Sequence, residues 1–473
     1  MSDDRVRELE RAWRASPNDP ALLQALLAAR RRAGLTTPPA LLEAQVFPPR
    51  RFESAHRYEV FVRDAEGRVL ALGETSRARP AVELPAHRAW WVRPHAGSRH
   101  RTLWEDLREQ AVPGLSLERL RPGSLEWRWL GELHGLRWLS LEDVRLVPRL
   151  LEEVAKLEGL THLNLRRSKP SSPLDGVDDA LAACVARLPR LTHLDLAGSQ
   201  ALTRAGLLEV ATGASPLHSL DLSACPALER DALQTLSGSP ALSRLVLRDN
   251  PGFDHTALRR LARLHGLSEL DLTGVAPLDR FALGALEELP LVRLALGDVS
   301  DHEHPSALLR RLPTEHLTHL KLRCTRRPFT LNLSELSALR QLEELDLEGV
   351  ALGQSWFARE APSFPRLRGL SAHETVSLDF GALARACPRL ERLRIEEGRC
   401  WEEDLEALAE LPLRELSLRV AGAEQSRARG TALPELPPRS DAERAAVHAR
   451  LRGLPPCGPA WAFTPATCFG PPG

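Results

Sequence analysis

One pattern of apolar and variable positions returns twelve times between Leu136 and Leu418. Each copy has an apolar residue, two variable residues, an apolar residue, one variable residue and a third apolar residue. Self-similarity at this period is typical of solenoids, in which each repeat supplies one strand and cannot bury its apolar side chains alone. We therefore predict an α/β solenoid, a horseshoe with a parallel concave sheet and convex helices. Successive copies begin 23 to 31 residues apart, at Leu136, Leu160, Leu191, Leu217, Leu242, Leu267, Leu291, Leu317, Leu342, Leu367, Leu390 and Leu413.

A second pattern lies between the copies and predicts short helices. Apolar residues recur at i, i+3 and i+4 spacing, as in 201–211 and 256–262. The longest interval contains the Pro/Ser-rich stretch 168–173, which predicts a loop. Residues 136–421 thus form a predicted array of about twelve units.

The residues before the array have three different characters. Residues 1–36 predict a helical hairpin, because Leu9 and Trp13 share one helical face and Pro20 suits the first position of a second helix. Residues 48–110 alternate as strands and then become amphipathic, which predicts a small α+β unit. Residues 111–135 are predicted to cap the open core at the N-terminal end of the solenoid.

The residues after the array are rich in proline. Residues 422–473 form a predicted tail with one short helix, which a capping box of Ser440 and Glu443 begins and Gly453 ends. Such a proline content is incompatible with a further packed layer.

Composition narrows the classes of function. The 63 basic residues balance 63 acidic ones, so no overall field attracts nucleic acid or an anionic membrane. Residues 45–101 have 11 arginines against six acidic residues, yet the neutral whole favours an ordinary Arg-rich surface over nucleic-acid contact. No run is apolar enough to span a membrane and no signal peptide is evident. Seven scattered cysteines without Cys-x-x-Cys spacing predict reduced thiols and a cytoplasmic protein.

The array resembles leucine-rich repeats of the cysteine-containing type, known from substrate adaptors of ubiquitin ligases and from bacterial effectors that imitate them. The fourth repeat carries this resemblance through Leu217, Leu220, Leu222, Cys225, Leu228, Ala232, Leu233 and Leu236. The Asn/Cys position of the family is kept at Cys225 and Asn250 only. The other repeats have serine, threonine, glycine, alanine or valine there, and the apolar substitutes must be packed instead. Because no F-box-like segment precedes the array, the adaptor function is not implied.

The hairpin at 1–36 resembles half a tetratricopeptide unit. It is also similar to the short repeat-companion hairpins that precede leucine-rich arrays in some bacterial proteins. The resemblance depends on Trp13, Pro17, Asp19 and Gly34.

Catalytic signatures are missing from the sequence. We find no phosphate-binding glycine loop, no metalloprotease helix and no nucleophile elbow. The cluster of Asp301, His302, Glu303 and His304 is better interpreted as a solvated loop before a helix than as a metal site, because adjacent residues rarely converge on one ion. We therefore predict a non-enzymatic protein with no cofactor, no metal and no catalytic residue.

The binding surface is predicted on the concave strands. The second, third and fifth positions of each copy are expected to face outward, and the fifth positions include a column of acidic residues. A protein partner that binds through a basic segment would compensate this column. Trp138 is the candidate anchor, or alternatively packs against the N-terminal cap. The predicted partner-binding residues are Trp138, His162, Asn164, His193, Asp195, Asp221, Arg244, Asp271, Lys321, Glu344, Asp346 and Arg394.

An alternative function assigns action to the N-terminal part. The chain would then be an effector or an enzyme-regulating protein, in which the repeats select a substrate and the unit at 48–110 acts. The available side chains there are Glu53, His56, His87, His95 and His100.

Overall fold

The computed structural model places the described residues in two compact units, 2–227 and 228–457. The described residues are 2–15, 20–32, 45–64, 68–95, 101–118, 126–167, 169–170, 179–275, 278–298, 309, 311–313, 315–324, 329–331, 336, 338–352, 364–375, 380–400, 406–420 and 441–457. Each unit is described by itself below.

The first unit contains parallel strands, one for each repeat. The repeat strands are β6 (Gly114–Ser116), β7 (Trp138–Ser140), β9 (His162–Asn164), β11 (His193–Asp195) and β12 (Ser219–Asp221). Each pairs with the next in register, so that equivalent positions of neighbouring repeats lie side by side. The short strands β8 (Arg145–Leu146) and β10 (Lys169–Pro170) form a second parallel pair beside them, so residues 169–170 of the predicted loop are strand; the rest of 168–173 lies outside the described residues.

Five strands precede the array: β1 (Arg50–Glu53), β2 (Tyr58–Asp64), β3 (Val69–Glu74), β4 (Ala81–Leu84) and β5 (His87–Pro94). Strands β2, β3 and β5 belong to the same sheet as the repeat strands, whereas β1 and β4 form a separate two-stranded sheet. Strand β2 lies antiparallel between β3 and β5, while β1 pairs with β4. Strand β5 then pairs in parallel with β6, with Val92 beside Leu115. The sheet therefore continues from the predicted α+β unit through the predicted cap into the array.

Strand β6 belongs to a further repeat that starts at Val112, 24 residues before Leu136. Leu115 and Leu117 are buried like the second and third leucines of the other copies. The predicted cap at 111–135 therefore contains the strand of a repeat in which valine replaces the first leucine.

The helices of the first unit include the predicted N-terminal hairpin. Helices α1 (Ser2–Ala15) and α2 (Pro20–Arg32) pack on each other and bury Val6, Leu9, Leu23 and Leu26. The others are α3 (Arg101–Glu109), a 3-10 helix (Glu126–Glu132), α4 (Pro148–Val154), α5 (Asp179–Val185) and α6 (Arg204–Thr212).

The second unit repeats the same arrangement. Its strands are β13 (Arg244–Val246), β14 (Glu269–Leu272), β15 (Arg293–Leu296), β16 (His319–Arg323), β17 (Phe329–Leu331), β18 (Glu344–Leu352), β19 (Gly369–Thr375), β20 (Arg392–Cys400) and β21 (Glu415–Val420). All of their pairings are parallel. Its helices are α7 (His255–Leu258), α8 (Arg280–Gly284), α9 (Phe380–Ala386), α10 (Asp441–Arg452) and 3-10 helices at Ala232–Gly238, Arg259–Arg263 and Leu408–Glu410.

The core of each unit consists of the leucines of the repeated pattern. Leu245, for example, is fully buried, as are its equivalents in the neighbouring strands. The valines that replace Asn or Cys are also buried, including Val275 and Val350. One parallel strand per repeat, with a leucine core behind it, confirms the predicted α/β leucine-rich-repeat fold.

Each strand ends in a turn of fixed geometry. The eighth position of a copy, counted with the first apolar residue as position one, has a positive φ in seven repeats, between 51° and 79°. This left-handed conformation favours glycine, yet only three of the seven are glycine. The seven residues are Asp143, Arg167, Gly198, Ala224, Asp249, Gly274 and Gly349.

Candidate functional site

The fifth positions of the strands are much less exposed than predicted. We call the sheet face that bears the third and fifth positions the strand face. Asp195 and Asp271 are completely buried, and Asn164, Asp221 and Asp346 are at most 6% exposed. The expectation that these side chains face a partner directly is therefore wrong for these five residues.

The reason is a backbone amide that the sheet leaves without a partner. In the repeat of Asp195, the N–H groups of Leu196 and Gly198 donate to carbonyls of the next repeat, at 2.9 and 2.7 Å. The N–H of Ala197 between them donates instead to Oδ1 of Asp195, at 2.9 Å. A buried amide needs an acceptor, so the carboxylate is part of the strand end. The same 2.9 Å contact occurs from Arg166 to Asn164, from Ser223 to Asp221 and from Thr273 to Asp271.

Arg166 covers two of these carboxylates in the first unit. Its Nε donates to Oδ2 of Asp195 at 3.2 Å, and its Nη2 donates to Oδ2 of Asp221 at 3.0 Å. One guanidinium therefore serves two buried carboxylates. Burial, together with the charge of Asp221, raises the pKa of Asp195 to about 7, although Arg166 opposes the change.

Asn164 closes this cluster on the other side. Its amide Nδ2 donates to Oγ of Ser140 and to Oε2 of Glu142, each at 3.1 Å. Asn164 therefore connects two consecutive repeats through polar contacts, and its donors are occupied within the chain.

The acidic side chains of the second unit are paired with basic ones. Arg248 donates to Asp271 at 2.6 Å. Lys321 lies 2.9 Å from the carboxylate of Asp346 and 3.0 Å from that of Glu348. The carboxylates of the predicted acidic column are thus buried and ion-paired within the chain, so they are not presented directly to a basic segment.

Glu344 and Arg394 have partners as well. Glu344 forms an ion pair with Arg392 across the intervening strand, where Gly369 leaves room: a Cβ on Gly369 would collide with the Glu344 carboxylate. Arg394 pairs with Glu396 at 2.8 Å. Both side chains remain partly exposed, so they stay available to a partner.

The third positions of the first unit form a row of rings. Phe61 stacks on Trp91 at 5.6 Å, and Trp138 packs against both. The row continues from Trp138 to His162 at 6.1 Å and from His162 to His193 at 4.1 Å, where the two rings are nearly parallel. Trp138 thus packs against residues of β2 and β5, and it is only half-buried.

The histidines of this row are held by their neighbours. Nδ1 of His162 and of His193 lies 2.9 Å from the hydroxyl of Thr161 and of Thr192 respectively. Burial and the positive charges of His193 and Arg63 lower the pKa of His162 well below its usual value. His162 is therefore neutral at physiological pH and acts as a planar ring rather than as a cation.

The third positions of the second unit alternate in charge. Glu269 lies between two arginines, with its carboxylate 3.7 Å from Arg244 and 3.6 Å from Arg293. His319 follows Arg293, and burial together with Arg293 and Arg392 lowers its pKa to about 4. All of these side chains are half-buried, so this row is the accessible part of the strand face.

Sequence reasoning missed the residues that cover the acidic column. Arg166 and Arg248 occupy the seventh position, just after a strand, and Arg293 was not assigned to the site. A basic seventh position followed, one repeat later, by an acidic fifth position is a signal that could have revealed both pairs. Trp91 was missed because β5 was not recognised as a strand of the same sheet.

Two features bear on catalysis: clusters of metal-ligating side chains and the N-terminal candidate residues. Among the described residues, no group of three His, Cys, Asp or Glu side chains could hold a metal ion. The cluster 301–304 lies outside these residues. Of the N-terminal candidates, His87 is buried and its Nδ1 lies 2.8 Å from the Pro85 carbonyl. No helix in the described part of the chain is long and apolar enough to cross a membrane.

Comparison with known proteins finds neither a matching family model nor a matching curated protein. Solved structures are similar at low identity. An internalin of Listeria monocytogenes is 18% identical with a TM-score of 0.43, over 71% of this chain and 89% of that chain. A leucine-rich-repeat protein of Leptospira interrogans is 19% identical with a TM-score of 0.43, over 71% of this chain and 92% of that chain. The mouse RP105/MD-1 complex is 18% identical with a TM-score of 0.39, over 67% of this chain and 52% of that chain.

Proposed function

We propose that this chain is a non-enzymatic scaffold that binds a protein partner on the strand face, the concave face of the predicted horseshoe. The observation that carries the proposal is the contrast between two rows of that face. In the fifth-position row, Asn164, Asp195, Asp221, Asp271 and Asp346 are buried and bonded within the chain. Most described side chains of the third-position row are half-buried instead, with His162 and Ser219 as buried exceptions. Stacked repeats with such a row offer an extended surface, which is how solenoids bind other proteins.

The proposed contacts differ between the two units. In the first unit, Trp138 and His193 present partly exposed rings. In the second unit, Arg244 and Glu344 belong to the third-position row of alternating charge. Arg394 occupies the fifth position of its own strand. Paired charges of this kind favour a partner of matching alternation over a purely basic segment, because each unmatched group would lose its present partner.

The buried acidic residues have an indirect part in this proposal. Asp195, Asp221 and Asp271 hold the ends of the strands and the arginines above them. Asp346 holds Lys321 in the same way. They thus position the groups that a partner would contact.

The test is partner capture with the full chain, followed by affinity measurement on variants. Arg293→Glu changes an exposed group of the third-position row and should weaken binding about tenfold or more. The matched control is Phe281→Ala on helix α8, a ring that is 49% exposed away from the strand face. A partner that is lost with the control and retained with Arg293→Glu would refute the proposal.

A further inference from the structure

Strand β21, the last described strand of the second unit, has one side without a paired strand among the described residues. It pairs with β20 on the other side. Leu416 and Leu418 of β21 are half-buried, whereas Leu393 and Ile395 at the same positions of β20 are at most 2% exposed. The apolar core of the repeats thus reaches the edge of the sheet at β21.

The backbone of β21 presents hydrogen-bonding groups on this side. The N–H of Glu415 donates to the Glu391 carbonyl on the side of β20, at 3.1 Å. Because the direction alternates along a strand, Leu416 and Leu418 direct their N–H and C=O groups to the open side. The Leu416 N–H donates there to the Pro455 carbonyl at 3.0 Å, which is the only acceptor on that side in the described part of the chain.

Residues 441–457 cover this edge only in part. Leu451 of α10 is buried, and Arg450 donates to the Ala409 carbonyl at 2.8 Å. The Cys457 thiol donates to the Leu393 carbonyl at 3.2 Å. This segment, which we call the C-terminal cap, is therefore held by contacts around β21 and by a single backbone hydrogen bond to β21 itself.

The opposite end of the strand order, in the first unit, is built differently. Strand β3 pairs only with β2 among the described residues, and a bulge interrupts it between Ala71 and Gly73. Gly73 has a φ of +124°. Bulges of this kind prevent another strand from adding to an edge. Residues Glu415 to Ser417 of β21 continue the regular register of the array. The register then shifts between Ser417 and Arg419, with the extra residues on β20 rather than on β21.

We propose that β21 is an interface between two copies of this chain, which pair through it as antiparallel strands related by a twofold axis at Ser417. This register places Leu416 of one copy opposite Leu418 of the other. It makes them hydrogen-bonded pairs, because both residues direct their backbone groups outward. It also places position 415, a glutamate, opposite position 419, an arginine, on both sides of the axis. The segment Glu415–Arg419 is thus complementary to itself, as a twofold interface requires.

The interface is separate from the strand face and goes beyond the proposed binding function. Pairing joins the leucine layers of two copies and replaces the hydrogen bond from Leu416 to Pro455. The C-terminal cap therefore competes with the second copy, and loosening the cap should favour the dimer.

The first experiment is sedimentation of the full chain from about 1 µM to about 1 mM, the range of specific but reversible association. A dimer should form within it. The twofold axis makes two pairs of positions 415 and 419, one on each side. Glu415→Arg places two basic residues in each pair and Arg419→Glu places two acidic residues in each pair, so each variant should weaken the dimer by about tenfold or more. The control Arg414→Glu changes an exposed charge outside the proposed pairing and should leave the dimer within about twofold.

Rescue tests the register. The double variant Glu415→Arg/Arg419→Glu restores opposite charges and should dimerise like the original chain. An equimolar mixture of the two single variants should likewise form a mixed dimer. Leu451→Ala should strengthen the dimer by loosening the cap.

Three results would overturn the proposal. They are a monomer at every concentration, a dimer that ignores both single charge reversals, and single variants that neither the mixture nor the double variant rescues. In the last case the edge would accept a strand of a different protein or none.

Discussion

Replacement of Asp195 by asparagine tests the buried cluster of the first unit. Asparagine keeps the Oδ1 acceptor that the Ala197 N–H needs, as Asn164 does at the same position of the preceding repeat. It removes the negative charge and leaves Arg166 to pair with Asp221 alone. The variant therefore isolates the cost of placing two carboxylates on one guanidinium.

The magnitude follows from the pKa of Asp195. Its folded value of about 7 is above the unfolded value of about 3.9, so folding favours the protonated form. The stabilisation is present in full below about pH 4 and is lost as the pH rises through about 7. The difference between the folded and unfolded pKa values corresponds to at most about 4 kcal/mol of lost stability. This cost belongs to Asp195 and Asp221 together, because the two carboxylates titrate as a pair. Against this, the variant loses an acceptor for Arg166, which costs about 2 kcal/mol. At pH 8 we thus expect Asp195→Asn to be more stable than the original chain by up to about 2 kcal/mol.

The assay is urea unfolding from pH 4 to pH 8, with the Asp195 Cγ signal followed by NMR over the same range. The difference in unfolding free energy between the original chain and the variant should change sign across this range. Asp271→Asn is the control, because Asp271 has Arg248 to itself at 2.6 Å; it should lose about 2 kcal/mol. A difference that is constant from pH 4 to pH 8, or that favours the original chain at pH 8, would refute the reasoning.

The other predictions concern single positions. Gly349→Ala should cost about 3 kcal/mol, because its Cβ would collide with the Cys324 carbonyl at a positive φ, whereas Gly274→Ala meets only a movable side chain and should cost about 1 kcal/mol; urea midpoints that rank them in reverse would contradict this. Leu245→Asp should cost about 4 kcal/mol and split thermal unfolding into two transitions, and a single unchanged transition would count against the nearest-neighbour coupling of a solenoid. The folded pKa of His319, about 4, is below its usual 6.5, so the stability that it affects falls as the pH drops from 6.5 towards 4; an NMR titration of its ring with a midpoint near 6.5 would show that the burial argument fails.

The sequence was sufficient to predict the strands and the core, because each buried leucine repeats at a spacing that only a solenoid satisfies. It also predicted which face each variable position occupies. It did not predict depth: Asp195 faces the predicted side but is covered by Arg166, which comes from the preceding repeat. The period of a pattern predicts the face of the sheet on which a side chain lies. Whether that side chain is buried depends on long side chains from neighbouring repeats, which the period does not predict.

The connection between the N-terminal strands and the array was missed for a different reason. Val92 of β5 and Leu115 of β6 are brought together by helix α3, an arrangement of strand, helix and parallel strand. This order of strand, helix and strand could have been predicted from the sequence, because parallel strands need a connection of about a dozen residues or more, usually a helix. Taking the segments as separate units concealed it. The surroundings of Trp138 likewise depend on Trp91, a ring 47 positions earlier in the sequence. The two rings lie on either side of Gly114, which has no side chain to separate them.

The pairing of β5 with β6 determines how this protein can be dissected. A fragment that starts at residue 111 would turn β6 from an interior strand into a free edge, and exposed edges of this kind template aggregation. Poor solubility of such a fragment would then be mistaken for loss of partner binding. Deleting residues 1–44 instead removes the hairpin and leaves β5 paired with β6. Fragments for binding measurements should therefore begin at residue 45, not at the start of the leucine repeats.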